Sequence, residues 1–417
     1  MRKSRHVSTA LASIVAPISG KAFFKNYWTR QPLLIQRRDP KHFSILPDSS
    51  AFEFLVASLT SAQSGWFSLV NERARRPADS MLTDEGFLNL AEVFASHGAG
   101  NSLLLSQIQK RHRATGVFCR QLEIDLTEAG VALSRQIGAN AYLSPPNSQG
   151  FSIHYDPHDV FVCQLEGHKL WRLYRRDVVN PVDPPLAPTP PDEAGPPLME
   201  CTLGPGDSLY IPRGVLHDAR TGDESSLHLT LSVYTVTWRD VLSEILSRDE
   251  GFRESLPLHF LSDATSADGT CKTEALARLG GMVTNTSHLG DALSKATERL
   301  FASLNSLPNG GFDSIRFAES LKPETRLSRA VGVFGRVEML GNSAILHLPG
   351  SSLRGGHEME PTFRTLLTAP VIRPRDLPIA VSADEKLKFM RGLVLSGYFV
   401  PAPPAKRKHR RKGTSTD

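Results

Sequence analysis

Residues 138–171 read GANAYLSPPNSQGFSIHYDPHDVFVCQLEGHKLW, and the order of strand and turn residues here predicts the fold class. Two runs of β-forming residues, Gly138–Ser144 and Val160–Leu165, flank a segment rich in Pro, Asn, Ser and Gly. A third run, Leu170–Tyr174, begins soon after Gly167. Short strands separated by turn residues at this spacing are typical of an antiparallel barrel or sandwich.

Similar runs continue the pattern at Met199–Leu203, Ser208–Ile211 and Leu227–Val236. The proline-rich stretch 181–197 shows no periodicity, which predicts an exposed loop between strands. The sequence therefore predicts a mainly β core with α-helical additions.

His154 and Asp156 lie two residues apart inside the first stretch. On an extended backbone such residues point to the same side, so that both reach one ion. His217 ends the run GPGDSLYIPRGVLH at 204–217, which predicts turn, strand and turn. Two histidines and one carboxylate leave open positions on an octahedral metal, as non-haem Fe(II) oxygenases require.

Other interpretations of these residues stay open at this point. The set also suits a metal-binding but non-catalytic barrel, or histidines exposed in loops. His158, His168 and His228 are nearby competitors as ligands. Pro157 makes an inward-pointing His158 less favourable, so we expect that residue at the entrance of the site. A zinc hydrolase is disfavoured because zinc keeps fewer open positions.

The quoted stretch and the runs Gly206–His217 and Ser226–Ser232 together resemble the JmjC-type ribosomal oxygenases. The resemblance covers residues 138–240 best and extends to 20–47, where Tyr27-Trp28 precedes Pro32–Ile35. It implies a double-stranded β-helix of the cupin or JmjC jelly-roll type, Fe(II) and 2-oxoglutarate as co-substrate. It further implies a homodimer that hydroxylates a His or Arg side chain of a ribosomal protein.

The resemblance assigns roles to individual residues. His154, Asp156 and His217 take the iron-ligand positions, and Lys169 takes the position that binds the distal carboxylate of 2-oxoglutarate. Physical chemistry agrees, because a dianion inside a barrel needs a cationic partner. The alternative is an exposed lysine. Ser232 takes the position of a hydroxyl that supports the same carboxylate, and Thr230 and His228 share its strand face. Asn140 and Tyr142 take pocket positions on an earlier strand. The alternative for these last two is that they are polar residues of the core.

The chain divides into five predicted segments. Residues 1–100 form a helical and extended N-terminal addition with helices at 50–65 and 85–96, and residues 101–237 form the barrel. Residues 238–318 form a helical dimerisation region. Residues 319–400 form a small winged-helix-like domain with a helix at 383–395, and residues 401–417 form a disordered basic tail.

Composition limits the protein class. Six of the 48 Lys and Arg residues lie in 406–412, so that the basic excess belongs to the tail. This tail either contacts RNA or is a solvated end. Four scattered cysteines without a CxxC pair indicate a reducing, cytoplasmic location, and no apolar run is long enough for a membrane span.

Two other functions remain as alternatives to protein hydroxylation. The first is a JmjC-type lysine demethylase, or a hydroxylase of a small molecule such as an amino acid. The second is a catalytically silent cupin module that binds protein or RNA. The sequence does not fix the substrate residue or the oligomeric state.

Overall fold

The computed structural model describes residues 9–71, 74–176, 178–181, 183, 188–248, 250–255, 280–281, 287–307 and 311–403. The chain forms two compact units, residues 1–305 and 306–417. No helix among these residues is long and apolar enough to cross a membrane. The predicted basic tail from residue 404 onward lies outside the described residues, as do residues 256–279 of the predicted helical region.

The first unit contains an antiparallel sheet of eight strands in the order β1-β9-β6-β11-β5-β4-β2-β3. The strands are β1 (Leu33–Ile35), β2 (Phe67–Asn71), β3 (Ala74–Pro77), β4 (Ser102–Leu105), β5 (Gly138–Ser144), β6 (Asp159–Glu166), β9 (Ser208–Ile211) and β11 (Ser226–Val233). The centre of this sheet matches the runs predicted from sequence. Strands β2, β3 and β4 were not predicted, and they extend the sheet beyond β5.

A second antiparallel sheet has the order β10-β7-β8. Its strands are β7 (Lys169–Arg176), β8 (Met199–Leu203) and β10 (Val215–Arg220). A buried apolar cluster joins the two sheets and includes Val162, Leu203 and Leu209. Because side chains alternate along each strand, residues two positions apart share a face, so that Lys169 and Trp171 of β7 both point to the inner side, where the sheets leave a cavity.

The N-terminal helices are α1 (Ala10–Val15) and α2 (Gly20–Asn26). Thr9 and Ser19 cap them, since their hydroxyls accept hydrogen bonds from backbone N–H groups of the first turn. Helix α2 ends at Asn26, before the aromatic pair Tyr27-Trp28. The Trp28 ring instead stacks on Tyr210 of β9, with ring centroids 5.8 Å apart. This contact fixes the N-terminal segment on the large sheet.

Three further helices pack on this unit: α3 (Ser49–Ala57), α4 (Leu90–Gly98) and α5 (Arg113–Glu128). The predicted helix at 50–65 is wrong beyond Ala57, where only a short 3-10 turn follows at Ser61–Trp66. The predicted helix at 85–96 starts later, because Gly86 adopts a left-handed conformation and Asn89 caps α4. Helix α5 was missed within a stretch expected to be β-rich.

The stretch 181–197 is not wholly loop, since Pro191–Ala194 forms the short helix α6. Two amphipathic helices, α7 (Trp238–Arg248) and α8 (Ser287–Ser303), follow the last strand of the large sheet and pack together. Val241, Ile245 and Ala292 form their shared buried cluster.

The second unit has its own apolar core. Its helices are α9 (Gly311–Glu319), α10 (Glu360–Thr368) and α11 (Ala383–Leu395), and its strands are β12 (Leu327–Arg329), β13 (Arg336–Leu340), β14 (Ser343–Leu348), β15 (Ser351–Gly356) and β16 (Phe399–Pro401). Strands β13, β14 and β15 form one antiparallel sheet, and β12 pairs with β16. Helix α11 has the bounds predicted from sequence, and Ser382 with Glu385 forms a capping box at its start.

Candidate metal centre

His154 and His217 are direct backbone partners, although they come from distant parts of the chain. His154 N donates to His217 O at 3.2 Å, and His217 N donates to His154 O at 2.8 Å. This antiparallel pair joins the segment before β6 to strand β10. The two imidazole rings consequently lie on one side, with centroids 4.5 Å apart. The sequence predicts extended backbone around His154, and the structure forms a single isolated β-bridge there instead of a regular strand.

Asp156 completes a cluster of three potential metal ligands. One ligand atom from each of His154, Asp156 and His217 lies within 4.8 Å of the other two. His217 Nε2 is 3.7 Å from Asp156 Oδ2. The backbone of Gly214 helps to position the aspartate, since its N–H donates to Asp156 O at 2.9 Å. Gly214 has a φ of +81°, and a Cβ there would meet Val178 O at 2.0 Å.

Hydrogen bonds orient both imidazoles for metal binding. His154 Nδ1 donates to Ser152 O at 2.8 Å, and His217 Nδ1 donates to Val215 O at 3.0 Å. A nitrogen that donates to a carbonyl carries the proton, so that Nε2 of each ring keeps its lone pair. The tautomers therefore present the two Nε2 atoms as ligands.

The electrostatics favour the protonation states that a cation requires. Burial raises the pKa of the Asp156 carboxyl, but His158, His217 and His154 outweigh it and hold the pKa below its usual value. Burial, together with the neighbouring His154, lowers the pKa of His217. An ionised carboxylate beside a neutral imidazole is the state of metal ligands. Two imidazoles and one carboxylate on one face fit Fe(II) with open coordination positions.

The cluster opens into a cavity of about 400 Å³ between the two sheets. Lys169 of β7 reaches into this cavity and is only 3 % exposed. Its Nζ donates to Ser144 Oγ of β5 at 2.7 Å. Burial lowers the pKa of this ammonium group to about 7. The alternative of an exposed lysine is therefore wrong, and the cavity holds a cation without a carboxylate partner among the residues described.

The other predicted pocket residues line the same cavity: Asn140, Tyr142, His228, Thr230 and Ser232. Tyr142 and His228 are opposed on β5 and β11, and their rings stack in parallel with centroids 4.8 Å apart. Burial, followed by the charge of Lys169, holds the pKa of His228 well below its usual value. His228 is therefore a neutral wall residue.

Several cavity residues were missed from sequence. Ser144 continues the alternation of Asn140 and Tyr142 on β5, and that period of two was a usable signal. The Trp171 ring lies beside the His217 ring, with centroids 6.1 Å apart, and its Nε1 is buried with no hydrogen-bond partner among the described residues. His158 lines the cavity and packs against Tyr234, with ring centroids 4.5 Å apart.

Comparisons with known proteins agree with this geometry. Residues 120–241 match the JmjC domain. Ribosomal oxygenase 1 of Homo sapiens is 33 % identical over 262 residues, which are 60 % of this chain and 39 % of that protein. Ribosomal oxygenase 2 of Rattus norvegicus is 33 % identical over 287 residues, which are 65 % of this chain and 59 % of that protein. The chain thus spans less than two thirds of these curated relatives.

Among solved structures, the ribosomal oxygenase YcfD of Escherichia coli, in complex with cobalt and 2-oxoglutarate, aligns with a TM-score of 0.54. The alignment covers 92 % of this chain and 98 % of that chain at 16 % identity, so it supports the fold alone. The predicted cupin-type fold is confirmed at this level. Residues 120–241 thus match the JmjC domain, and the chain is similar in sequence to curated ribosomal oxygenases over 60–65 % of its length.

Proposed function

We propose that this protein is an Fe(II)- and 2-oxoglutarate-dependent oxygenase that hydroxylates a His or Arg side chain of a ribosomal protein. One observation carries the proposal: the ligand cluster His154, Asp156 and His217 shares a cavity with the buried cation Lys169. A chelating dicarboxylate needs a metal ion at one end and a separate cation at the other end. The ligand cluster and Lys169 suit these two ends. The relatives named as ribosomal oxygenases supply the substrate class.

Each residue has a defined task in this reaction. His154, Asp156 and His217 would hold iron through two imidazole nitrogens and one carboxylate. Lys169, supported by Ser144, binds the distal carboxylate of 2-oxoglutarate, and Ser232 offers a hydroxyl on the same wall. When bound, the iron would supply oxidative decarboxylation of 2-oxoglutarate by O2 coupled to hydroxylation of a C–H bond, with one oxygen atom entering succinate and the other entering the product.

The cavity walls position the substrate and exclude water. The stacked pair Tyr142 and His228 is a flat wall against which a planar imidazole or guanidinium group packs. Asn140 Oδ1 already accepts from Gln107 N at 3.2 Å, so its side-chain NH₂ is the group that faces a substrate acceptor. Thr230 lies opposite Asn140 on β11.

We further propose a homodimer formed through the α7–α8 pair. Trp238 is 78 % exposed there, and Leu242 and Leu293 are also exposed. Exposed apolar residues on neighbouring helices are typical of an interface.

Residues 319–400 are proposed as a winged-helix-like domain, because a three-stranded sheet packs with helices around one core. We also propose the segment boundaries 1–100, 101–237 and 238–318. A contact of the basic tail with RNA is a further proposal. A cytoplasmic location is proposed because Cys119, Cys163 and Cys201 are free thiols.

Anaerobic titration with Fe(II) and 2-oxoglutarate, followed by exposure to ribosomal-protein peptides and air, tests the activity. We expect stoichiometric succinate release and a product heavier by one oxygen atom. Formaldehyde with a demethylated product would instead assign a demethylase. Metal binding without any 2-oxoglutarate turnover would assign a silent cupin module and overturn the proposal.

A further inference from the structure

A second cavity, of about 320 Å³, lies beside the metal-centre cavity. The two cavities share His158 and Tyr234 as wall residues. Four arginines line the second cavity, which we call the arginine pocket: Arg135, Arg213, Arg239 and Arg299. They come from the segment before β5, the turn before β10, and helices α7 and α8. The metal centre described above does not use any of them.

The charges of this pocket are only partly compensated. Arg299 pairs with Glu244, and Arg239 lies 3.6 Å from Asp183 on the surface. Asp240, the acidic residue that lines the pocket, accepts from Thr237 N and Thr237 Oγ1 at 2.7 Å and so caps α7. These three carboxylates are therefore already engaged.

Arg135 and Arg213 make no ion pair within 4.0 Å in the described part of the chain. The guanidinium carbon of Arg135 lies 3.6 Å from the centroid of the Tyr234 ring, which is the shared wall. Arg213 Nη2 donates to Asn180 Oδ1 at 3.2 Å, but its Nε is buried and has no acceptor among these residues. The charge of Arg213 also acts on the buried carboxyl group of Asp159. The buried Nε donor of Arg213 and the cation of Arg135, which has no ion-pair partner among the described residues, favour an anionic ligand.

We propose that the arginine pocket binds an acidic side chain of the protein substrate, next to the residue held in the metal-centre cavity. The inference rests on the proposed function, since it assumes a peptide in that cavity. Tyr234 and His158 line both cavities. A substrate peptide that places its target side chain in the metal-centre cavity therefore brings a neighbouring side chain to the arginine pocket on the other side of these two rings. A carboxylate there meets two guanidinium groups, whose planar donors match its oxygens.

The test uses the full chain and fluorescently labelled short peptides with a central His or Arg. Each flanking position carries Glu in one peptide and Gln in its partner, and binding is measured by anisotropy without oxygen. We expect Glu at one or two positions to tighten binding about tenfold. The preference should weaken in high salt, because three of the four arginines, Arg135, Arg239 and Arg299, are exposed to solvent.

Variants identify the residues responsible. Arg135→Gln and Arg213→Gln should each reduce the Glu preference to less than about threefold, and Arg135→Lys should retain part of it because the charge remains. The matched control is Arg113→Gln, which changes an exposed arginine outside both cavities and should keep the full preference. Thermal unfolding of each variant checks that the fold is intact.

Two results would overturn the inference. One is a wild-type protein without a Glu preference at any position, or with a preference that both Gln variants retain. The other is displacement of the peptide by a short single-stranded RNA through the same arginines, which would assign the pocket to phosphate. Product mass separates this inference from the proposed activity: equal hydroxylation of Glu and Gln peptides removes only the subsite, whereas Glu-selective binding without hydroxylation removes only the activity.

Discussion

Lys169 and Ser144 belong to different sheets, and their side chains meet at 2.7 Å inside the cavity. This hydrogen bond holds the ammonium group inside the cavity, and no carboxylate pairs with it in the part of the chain that the structure describes. Burial lowers its pKa to about 7, so a substantial fraction of the lysine is neutral at physiological pH. An incoming dicarboxylate restores the charged form.

The affinity for 2-oxoglutarate should therefore depend on pH. The dianion binds the protonated lysine, so that binding above pH 7 requires proton uptake and weakens by up to about tenfold per pH unit. Calorimetric titration with Mn(II) in place of iron, between pH 6 and 9, measures this slope. Buffers of different ionisation enthalpy should report the proton uptake. An affinity that stays constant across this range would contradict the prediction.

Lys169→Met should stabilise the metal-free protein while it removes 2-oxoglutarate binding. For this cation the folded-state pKa is below the unfolded-state value, so its destabilising effect is complete below about pH 7 and fades as pH rises towards the unfolded value. We expect a gain of about 1–3 kcal/mol at pH 6.5 in urea unfolding. The exposed lysine variant Lys388→Met is the control and should change stability little. A less stable Lys169→Met protein would disprove the argument.

Alanine at His154, Asp156 or His217 should abolish 2-oxoglutarate turnover without unfolding the protein. The backbone pair between the two histidines does not depend on their side chains, so the barrel keeps its register. Succinate release and circular dichroism measure the two properties. His168→Ala is the matched control, because His168 is an exposed histidine that contacts Glu224. Full turnover in any of the three variants would exclude that residue as a ligand.

Gly214→Ala should weaken metal binding and destabilise the fold by more than about 1 kcal/mol. The left-handed conformation and the close approach to Val178 O leave no room for a methyl group, and any shift moves the N–H that holds Asp156. Gly222→Ala is the control, since a Cβ there meets nothing within 4 Å. Denaturant unfolding and Mn(II) titration provide the measurements. Equal behaviour of the two variants would refute this role for Gly214.

The metal ligands were predictable because the sequence contains their determinants locally. Alternation around His154 and Asp156, and the turn residues before His217, indicate side-chain direction without knowledge of the tertiary fold. The central strands β5, β6 and β11 were predictable for the same reason. Helix α11 carried both helical periodicity and a capping box.

The missed features depend on packing between distant segments. Helix α5 buries the ion pair of Arg120 and Glu123, which gives its inner face a polar sequence and hides the helical pattern. Strands β2 and β4 are short and gain their stability from neighbours in the large sheet. The arginine pocket combines residues from four separate segments, and no local pattern indicates that they meet.

The main-chain pairing of His154 with His217 has a consequence for how the protein acquires its metal. Folding itself brings two of the three donors together, so little conformational entropy is left to lose when an ion arrives. Discrimination among first-row divalent ions then depends on their intrinsic affinity order and on cellular supply, more than on rearrangement of the protein. Loading with a tighter-binding but inert ion is consequently the failure to which this centre is most exposed.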